Sequence, residues 1–535
     1  MKENDNKQNF TTKKNDQTSN FRPKPVTVTT VILTIKHLRE TNAIGADGIA
    51  FRFVKDSLPV ICFYLMIIIN TSIVTGLFPL LWKHGLINPT FKSGDIDEVS
   101  NFRPISLLSI LSKVLEKIVT NQLMEYLESN RLLSNSQHGF RINLSTETAL
   151  MQVTDKIYNN IDENKITLLT LCDLSKAFDS VNHKILLKKL IDHHIDTFWF
   201  EDYLSYRTQS VRIGKTISSK LNVPFGVPQG SILGPILFLI FVNDMKNVTT
   251  NCLLVQYADD SQFIHTGTTN NLQELIRSAE NTMKEAKHYF DSNGLMINTK
   301  KTQCIFIGSR QNISKIPEET KINCSGDEII PSKSVKNLGV HMDRYMLFDK
   351  HIDEMHKKTM GTLIYLNRIK DRIERDVRIK VVQALALSLI NYCSKIWGTT
   401  SKTQIQRVQK LQNFAAKIAI GNVRKYDHVT PHIKELKWLK IEQKCLYDTC
   451  IFVYKILRKQ IPSWLLKLTT VRNVNPVMTR QQNDLFIPRT RTYTGARDTA
   501  VRGPMLWNNL PNLVKDGCSL GVFKNKLKEH YLSSQ

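Results

Sequence analysis

The chain has 535 residues, of which 73 are Lys or Arg and 48 are Asp or Glu, giving a formal net charge of +25 at pH 7. This length excludes a single small domain, because one hydrophobic core stops growing at roughly 250–300 residues. Hydrophobic residues make up 41% of the chain, which excludes a wholly disordered protein. The excess of positive charge favours a polyanionic partner such as nucleic acid, with binding to a membrane surface or mere solubility as the alternatives.

The N-terminal residues and the cysteines indicate the compartment. Residues 1–22 are polar and lack the apolar stretch of a signal peptide, so they predict a disordered tail. Nine scattered cysteines without a C-x-x-C pair fit a reducing compartment and predict no structural zinc site. We therefore expect an intracellular protein, in the nucleus or the cytoplasm, and not a secreted one.

The most apolar window is LPVICFYLMIII, at residues 58–69. It is shorter than the ~20 residues that a membrane span needs. We therefore expect a buried core helix here, and no membrane partner.

Two further segments predict regular structure. SLLSILSKVLEKIVTNQLMEYLESN (106–130) has apolar residues at helical spacing and predicts a helix that ends near Asn130. ITLLTLCDLS (166–175) is apolar without alternation, as in a strand covered on both faces, and ends in the charge of Asp173. That acid either marks a functional site or, like Ser175, caps the segment that follows.

The middle of the chain predicts a mixed layer of helices and strands. GVPQGSILGPILFLIFVND (226–244) indicates a Gly/Pro-rich turn and then an apolar helix with Pro235 in its first turn. QYADDS (256–261) lies between two strand-forming runs and predicts a hairpin. A helix over 271–294 and a strand within 295–308 follow, which gives an α+β fold class.

Three carboxylates could meet at one edge of this sheet. Asp173 follows a strand, and Asp259 and Asp260 occupy the hairpin tip. An Asp-Asp pair is often only a solvated turn. Clustered carboxylates, however, suit Mg²⁺, and two such ions can stabilise the attacking and leaving oxygens of a phosphoryl transfer. The reaction class that this pattern favours is nucleotidyl transfer.

Six blocks in chain order resemble the reverse transcriptase of non-LTR (LINE-type) retrotransposons, most closely the jockey and CR1-like groups. They are WKHGLINPTFKSGD, NFRPISLLSILSKVLEK, QHGFRINLSTETAL, CDLSKAFDSVNHKILLKKL, GVPQGSILGPILF and QYADDS. The resemblance runs from about Gly45 to about Asp343 and continues more loosely to the C-terminus.

The resemblance implies a right-hand polymerase with fingers, a palm whose antiparallel sheet carries the acids, and a helical thumb, followed by a mostly helical C-terminal region. The expected limits are 23–165 for an N-terminal extension and fingers, 166–343 for the palm, 344–460 for the thumb and 461–535 for a basic C-terminal segment. In the thumb, the segments MHKKTMGTLIYLNRIKDRI, VVQALALSLINYCSKIWG and IQRVQKLQNFAAKIAI predict helices.

The resemblance also implies the active-site residues. Asp173, Asp259 and Asp260 would be the catalytic acids and metal ligands, with the backbone of Leu174 beside them. The cofactor would be two Mg²⁺ ions, which Mn²⁺ could replace. Phe178 would lie beneath the incoming sugar, where a ring excludes a 2′-hydroxyl, unless it only packs in the core.

Further residues would bind nucleotide, template or primer. The nucleotide-binding residues would be Gln229, Gly230, Arg103, Arg141 and Lys301. Arg103 could instead form a structural ion pair, and Lys301 could be a general acid or simply bind phosphate. Leu338 and Gly339 resemble the primer grip.

The expected function is an RNA-directed DNA polymerase that adds dNTPs to a DNA primer on an RNA template, with the RNA of the element as a partner. No endonuclease domain precedes the resemblance, so we expect polymerisation without target nicking. A catalytically silent nucleic-acid-binding relic is the alternative, whereas Phe178 disfavours an RNA-dependent RNA polymerase. The Arg-rich segment 479–502 predicts either RNA binding or irregular packing.

Overall fold

The computed structural model describes residues 21–534 apart from residues 325, 422, 425, 467, 471–483 and 518. Most of the predicted tail, residues 1–20, therefore lies outside the described residues. Its last two residues are not tail-like. Phe21 is buried, and its N–H donates to the carbonyl of His194 at 2.8 Å while its own carbonyl accepts from Asp196. The prediction of a disordered tail is therefore wrong for Phe21.

The described residues form helices and short strands from end to end. The helices are α1 Val28–His37, α2 Phe51–Asp56, α3 Leu58–Thr75, α4 Ile110–Ser129, α5 Thr146–Asp162, α6 His183–Asp192, α7 Phe198–Leu204, α8 Gly234–Phe241, α9 Met245–Val248, α10 Leu272–Ser292, α11 Arg310–Ile313, α12 Asp349–Ile369, α13 Arg375–Val382, α14 Ser388–Asn391, α15 Ser394–Trp397, α16 Lys402–Ile420, α17 Thr430–Glu435, α18 Ile441–Leu457, α19 Thr499–Asn508, α20 Asn512–Lys515 and α21 Leu520–Ser533. The strands are β1 His84–Phe91, β2 Phe102–Leu107, β3 Ile166–Cys172, β4 Leu174–Ser175, β5 Thr208–Ile213, β6 Thr216–Ile217, β7 Leu221–Asn222, β8 Leu253–Tyr257, β9 Asp260–Gly267, β10 Met296–Ile297, β11 Gln303–Ile307, β12 Ile322–Cys324, β13 Asp327–Ile329, β14 Ser334–Asn337 and β15 Val340–Asp343.

The chain divides into two compact units. The first contains the described residues up to Leu133 together with Lys176–Val242, and the second contains Ser134–Ser175 and the described residues from Asn243 onward. The expected palm, 166–343, is therefore shared between the two units, because 176–242 packs with the N-terminal region. The expected α+β fold class agrees with this mixture of helices and sheets.

The first unit is built on a sheet in the order β2-β1-β5-β6, with β7 also paired to β5. Strands β1 and β5 run parallel, and the other pairs are antiparallel. Helix α4 ends at Ser129 with Asn130 as its cap, as predicted. Its buried Glu116 accepts from the N–H groups of Ile232 at 2.6 Å and Leu233 at 3.2 Å. This carboxylate therefore holds the start of α8, where negative charge is favourable.

Helix α3 departs from our expectation in both length and burial. It continues past the apolar window to Thr75 and ends at Gly76, whose φ of 72° is left-handed. Val60 is 72% exposed and Phe63 53%, whereas Ile69 is fully buried. The prediction of a buried core helix is therefore wrong for one whole face. By length and composition alone, α3 could also cross a membrane.

The second unit contains a four-stranded antiparallel sheet in the order β11-β3-β9-β8. Strand β3 is central, and its neighbouring residues point to opposite faces. Leu168 packs with Leu275 of α10 on one face, and Leu169 belongs to the core that includes Leu363 of α12 on the other. The prediction of a strand covered on both faces is confirmed.

Two of the predicted thumb helices, α12 and α16, are present, but the segment between them is broken. After α13 come a π-helical turn at Gln383–Leu387, the short α14, and Cys393 in the left-handed region at φ 51°. The indole N–H of buried Trp397 donates to the carbonyl of Tyr392 at 2.9 Å. Packing of this large ring in the core therefore overrides the helical periodicity of the segment.

The described part of the Arg-rich segment packs against the body of the second unit. Arg497 donates to the carbonyl of Met346 at 3.0 Å, and Arg502 donates to that of Lys395 at 2.9 Å. These contacts favour the packing interpretation for both arginines. Residues 479–483 of the segment lie outside the described residues.

Candidate active site

The register of three strands brings the predicted acids to one sheet edge. Cys172 at the end of β3 pairs with Ser261 in β9, and Tyr257 in β8 pairs with Asp260. Asp173 directly follows the last paired residue of β3, and Asp260 is the first residue of β9, so the two acids adjoin the same pair, Cys172 with Ser261. Asp259 occupies the two-residue turn between β8 and β9. All three carboxylates therefore belong to one end of the sheet.

The electrostatic surroundings of Cys172 support this arrangement. Burial raises the pKa of the Cys172 thiol, and the nearby Cys324 thiol and the Asp173 and Asp260 carboxylates raise this pKa further. The Cys172 thiol therefore interacts electrostatically with both Asp173 and Asp260, although these two acids lie far apart in the sequence. Asp173 and Asp259 are half-buried, while Asp260 is exposed.

The two alternatives for these acids are weakened. Asp173 does not cap a helix, because the next α-helix, α6, begins at His183 and is capped by Asn182. The QYADDS hairpin is also more than a solvated tip. Its turn residue Ala258 is buried at φ 57°, and both backbone polar groups of Ala258 bond to the side chain of Gln137. Sequence reasoning missed Gln137, whose only signal was its place in the QHGFR block.

The oxygen atoms of the three carboxylates and of the Leu174 carbonyl are of the type that Mg²⁺ prefers as ligands. Carboxylate and carbonyl oxygens are hard ligands, and Mg²⁺ commonly takes one or two carboxylates and completes its shell with water and substrate phosphates. Among the described residues, no three Asp, Glu, His or Cys side chains converge closely enough to hold a metal by themselves. The role of Asp173, Asp259, Asp260 and the Leu174 carbonyl as metal ligands therefore stays a prediction, in which water and substrate phosphates would complete the shell.

The predicted phosphate-binding Lys301 lies on a turn attached to Asp173. The N–H of Asn298 donates to the carbonyl of Asp173 at 2.8 Å, and the N–H of Lys301 donates to the carbonyl of Asn298 at 3.1 Å. Strand β10, just before this turn, pairs with β4 through Leu174. The exposed Lys301 is thus fixed, through its backbone, to the strand end that carries Asp173.

In the first unit, Phe178 and the P-Q-G turn are held together. The N–H of Val227 donates to the carbonyl of Phe178 at 2.8 Å, and the amide of Gln229 donates to Asp179 Oδ2 at 2.8 Å. Burial raises the pKa of Asp179. The Phe178 ring stacks on Phe238 with 4.5 Å between centroids and remains partly exposed. Core packing therefore orients this ring without covering it.

Gly230 is required by a close approach of two backbones. Its φ is 129°, and a Cβ there would lie 2.4 Å from the carbonyl oxygen of Ser106 in β2. The N–H of Ser106 in turn donates to the carbonyl of Gln229 at 2.7 Å. Arg103, on the same strand, is exposed, and among the described residues it forms no ion pair. The ion-pair alternative for Arg103 is therefore not supported.

Arg141, predicted to bind nucleotide, donates hydrogen bonds to the backbone of its own loop. Its guanidinium is buried and donates to the carbonyls of Ser134 at 2.8 Å and Gln137 at 3.3 Å. These contacts brace the loop that precedes α5. Its predicted role in binding nucleotide stays a prediction, and the structure gives it a bracing role instead.

Leu338 and Gly339 form the tight turn of the β14–β15 hairpin, with φ values of 42° and 87°. The Tyr392 hydroxyl donates to the carbonyl of Leu338 at 2.6 Å. Asn337, at the end of β14, donates its amide to Gln262 of β9 at 2.7 Å. The turn that we predicted is thus anchored to the sheet that carries Asp260, and contact with a primer stays a prediction.

Comparison with known proteins finds one family model and several relatives that this chain resembles. Residues 91–342 match the family model described as reverse transcriptase (RNA-dependent DNA polymerase). The chain is 28% identical to the probable RNA-directed DNA polymerase from transposon BS of Drosophila melanogaster, over 81% of this chain and 49% of the relative. It is 26% identical to the corresponding X-element protein, over 67% of this chain and 40% of the relative, and 24% identical to the RNA-directed DNA polymerase from mobile element jockey, over 65% and 39%, both from the same organism. The chain thus spans no more than about half the length of these relatives.

Proposed function

Since this chain belongs to the reverse transcriptase family of jockey-like non-LTR retrotransposons, we propose that it is an RNA-directed DNA polymerase. The observation that supports this proposal is the strand register, in which Cys172 pairs with Ser261 and Tyr257 pairs with Asp260, so that Asp173 and the Asp259 turn adjoin the same end of the sheet. Its substrates would be dNTPs, and its macromolecular partners an RNA template, including the RNA of its element, and a DNA primer.

The acids would act as the ligands of the catalytic metal. We assign Asp173 and Asp259 the main role, with Asp260 and the Leu174 carbonyl beside them. When bound, Mg²⁺, or Mn²⁺ in its place, supplies positive charge to the attacking and leaving oxygens of nucleotidyl transfer. Lys301 would bind the triphosphate or donate a proton to the leaving pyrophosphate, because the turn that carries it is bonded to Asp173.

Residues of the first unit would select the nucleotide. A partly exposed Phe178 ring, stacked on Phe238, offers a rigid surface that can exclude a 2′-hydroxyl. Gln229 and Gly230 would contact the nascent pair, and the exposed Arg103 would bind phosphate. Leu338 and Gly339 would support the primer end.

We place this reaction in the nucleus or the cytoplasm. The eight described cysteines are all unpaired, as expected in a reducing compartment. We assign the fingers, palm and thumb to the residue limits that the resemblance implies. The helices from α12 to α18 then form the thumb.

The test is primer extension on poly(rA) with an oligo(dT) primer, dTTP and Mg²⁺. We expect extension by the purified chain and a loss of at least about 100-fold in Asp259→Ala, because one ligand of the reacting centre is removed. Asp327→Asn is the matched control, since Asp327 is also an acid in a hairpin, in β13, and is exposed. It should retain the wild-type rate.

Measuring template–primer binding together with extension, on the same purified protein, distinguishes the polymerase from a silent relic and from an RNA-dependent RNA polymerase. Binding without extension by folded wild type would favour a silent relic of such an element. Equal use of ribonucleotides and deoxyribonucleotides would favour an RNA-dependent RNA polymerase, which Phe178 argues against.

A further inference from the structure

A loop of the second unit pairs with the outer edge of the QYADDS hairpin. Strand β8 is at the edge of its sheet, and residues 136–138 run parallel to it. The N–H of Gln256 donates to the carbonyl of Ser136 at 2.7 Å, and the N–H of His138 donates to the carbonyl of Gln256 at 2.8 Å. These two bonds position the loop residue between them, Gln137, beside the end of β8.

The buried Gln137 side chain then holds the turn itself. Its Oε1 accepts from the N–H of Ala258 at 2.9 Å and from the N–H of Gly139 at 2.8 Å. Its Nε2 donates to the carbonyl of Ala258 at 3.2 Å. One amide therefore satisfies both backbone groups of the turn residue, which the sheet ladder cannot pair.

Ala258 needs this support because of its backbone conformation. Its φ of 57° lies in the left-handed region, which costs a residue with a Cβ roughly 1–2 kcal/mol. The carbonyl that Gln137 binds belongs to the peptide that joins Ala258 to Asp259. Rotation of that peptide would turn the Asp259 carboxylate, so the amide of Gln137 fixes the direction of that acid.

The loop that supplies Gln137 fits closely against the turn and is hydrogen-bonded to helix α5. A Cβ on Gly139 would lie 2.4 Å from the nitrogen of Ala258, so only glycine permits the contact. The buried His138 ring is held on both sides, by Thr148 at 2.9 Å and by Gln152 at 2.7 Å, both in α5. The loop is therefore anchored to the long helix α5, and these hydrogen bonds hold the Gln137 amide in position relative to that helix.

We propose that Gln137 is a positioning residue for nucleotidyl transfer, which acts by holding the Ala258–Asp259 peptide in the conformation that aims Asp259 at the reacting centre. This inference rests on the proposed polymerase function. It predicts that loss of the amide slows the reaction and leaves nucleic-acid binding intact, because the misplacement of one ligand acts on the chemical step. A displacement of about 1 Å can cost roughly 100-fold in rate.

The test uses two variants and a matched control. Gln137→Leu removes both hydrogen-bonding functions at similar volume, and Gln137→Glu keeps an acceptor but removes the donor to the Ala258 carbonyl. Gln412→Leu is the control, because Gln412 is also buried, donates to the Leu439 carbonyl at 2.8 Å and accepts from Gln409 at 2.8 Å, in helix α16. Thermal unfolding establishes that each variant is folded.

We expect kcat on poly(rA)/oligo(dT) to fall about 10- to 100-fold in both Gln137 variants, with the dissociation constant for template–primer changed by less than about twofold. Gln412→Leu should keep its kcat even where its thermal midpoint falls. Backbone hydrogen exchange should quicken at residues 257–260 in the Gln137 variants, in the absence of substrates.

Three results would overturn the inference. Folded Gln137 variants with kcat within twofold of wild type would show that the turn does not need the amide. An equal loss of kcat in Gln412→Leu would reduce the effect to general destabilisation. A folded wild type that never extends a primer would overturn the polymerase function as well, whereas wild-type extension with active Gln137 variants would overturn this inference alone.

Discussion

At the scale of single residues, the chain places reactive groups on backbone that is held from elsewhere. Asp259 follows Ala258, whose backbone is in the left-handed region. Asp173 follows strand β3, and its carbonyl accepts a hydrogen bond from the N–H of Asn298. Phe178 is oriented by Phe238 beneath it. Short sequence motifs were enough to predict the acids and Phe178 as site residues. The hydrogen bonds that hold the Ala258 turn could not be predicted from the sequence, because Gln137 and Ala258 come into contact only in the folded chain.

The role of Phe178 makes a specific prediction about sugar selection. Phe178→Ala should lower the ratio of kcat/KM for a deoxyribonucleotide to that for the matching ribonucleotide by at least about tenfold, equivalent to about 1.4 kcal/mol. The reason is that removal of the ring opens space for a 2′-hydroxyl. Phe225→Ala, at a more exposed position of the same unit, should leave the ratio unchanged. An unchanged ratio in folded Phe178→Ala would assign the ring to packing alone.

The half-buried acid Asp498 predicts a pH dependence of stability. Burial raises the pKa of Asp498 from 3.8 to about 6. The folded state therefore binds this proton more tightly than the unfolded state, and the contribution of Asp498 to the unfolding free energy falls as pH rises from about 4 to about 6. Asp498 also caps α19 by accepting from the N–H of Ala500 at 2.8 Å, which an asparagine can do equally well.

Asp498→Asn should consequently gain stability relative to wild type as pH rises, by about 2 kcal/mol between pH 4 and pH 7. Thermal midpoints of both proteins across this range measure the difference. A constant difference over the whole range would mean that Asp498 ionises in the folded protein as it does in the unfolded chain.

At the scale of elements, the predictions held where periodicity and burial agree. Strand β3, the β8–β9 hairpin, α4, α8 and α10 lie where the sequence predicted them. Helix α3 was misjudged because it is apolar on every face, so its sequence contains no signal of which side is covered. The helix expected over 381–398 is broken because Cys393 adopts a left-handed backbone so that Trp397 can be buried.

The P-Q-G turn gives a prediction at this scale. Gly230→Ala should lower thermal stability by about 2–3 kcal/mol, since its Cβ would collide with the Ser106 carbonyl in addition to the strain of a positive φ. Gly214 is the control, because its φ is 59° and nothing lies within 4 Å of its Cβ position. Gly214→Ala should cost about 1 kcal/mol. Equal thermal midpoints for the two variants would show that the β2 contact yields without cost.

At the scale of the whole molecule, charge is the property that the sequence alone predicts with least ambiguity. The net charge of +25 is spread over a chain whose described ion pairs are mostly exposed, for example Lys321 with Glu328 and Arg407 with Asp353. Exposed pairs of this kind contribute little to stability. Under the proposed function, the excess of basic residues would bind the phosphates of a template–primer.

We accordingly predict a steep salt dependence of template–primer binding. If about six phosphates are neutralised, the affinity should fall by about 10³ between 50 and 200 mM salt, because bound counterions are released. Fluorescence anisotropy with a labelled RNA–DNA hybrid measures the slope of log affinity against log salt. A flat slope would assign the positive charge to solubility and not to nucleic-acid binding.

Under the proposed function, Asp173, which follows β3, and Asp259, in the turn between β8 and β9, act as one catalytic unit. The most direct measurement is the rate of dTMP incorporation on poly(rA)/oligo(dT) by wild type, Asp173→Asn, Asp259→Asn and the double variant. Residues that act as a unit are strongly non-additive. We expect both single variants to lose at least about 100-fold and the double variant to be no slower than either. A single variant that keeps a rate near wild type, or losses that multiply in the double variant, would contradict the account.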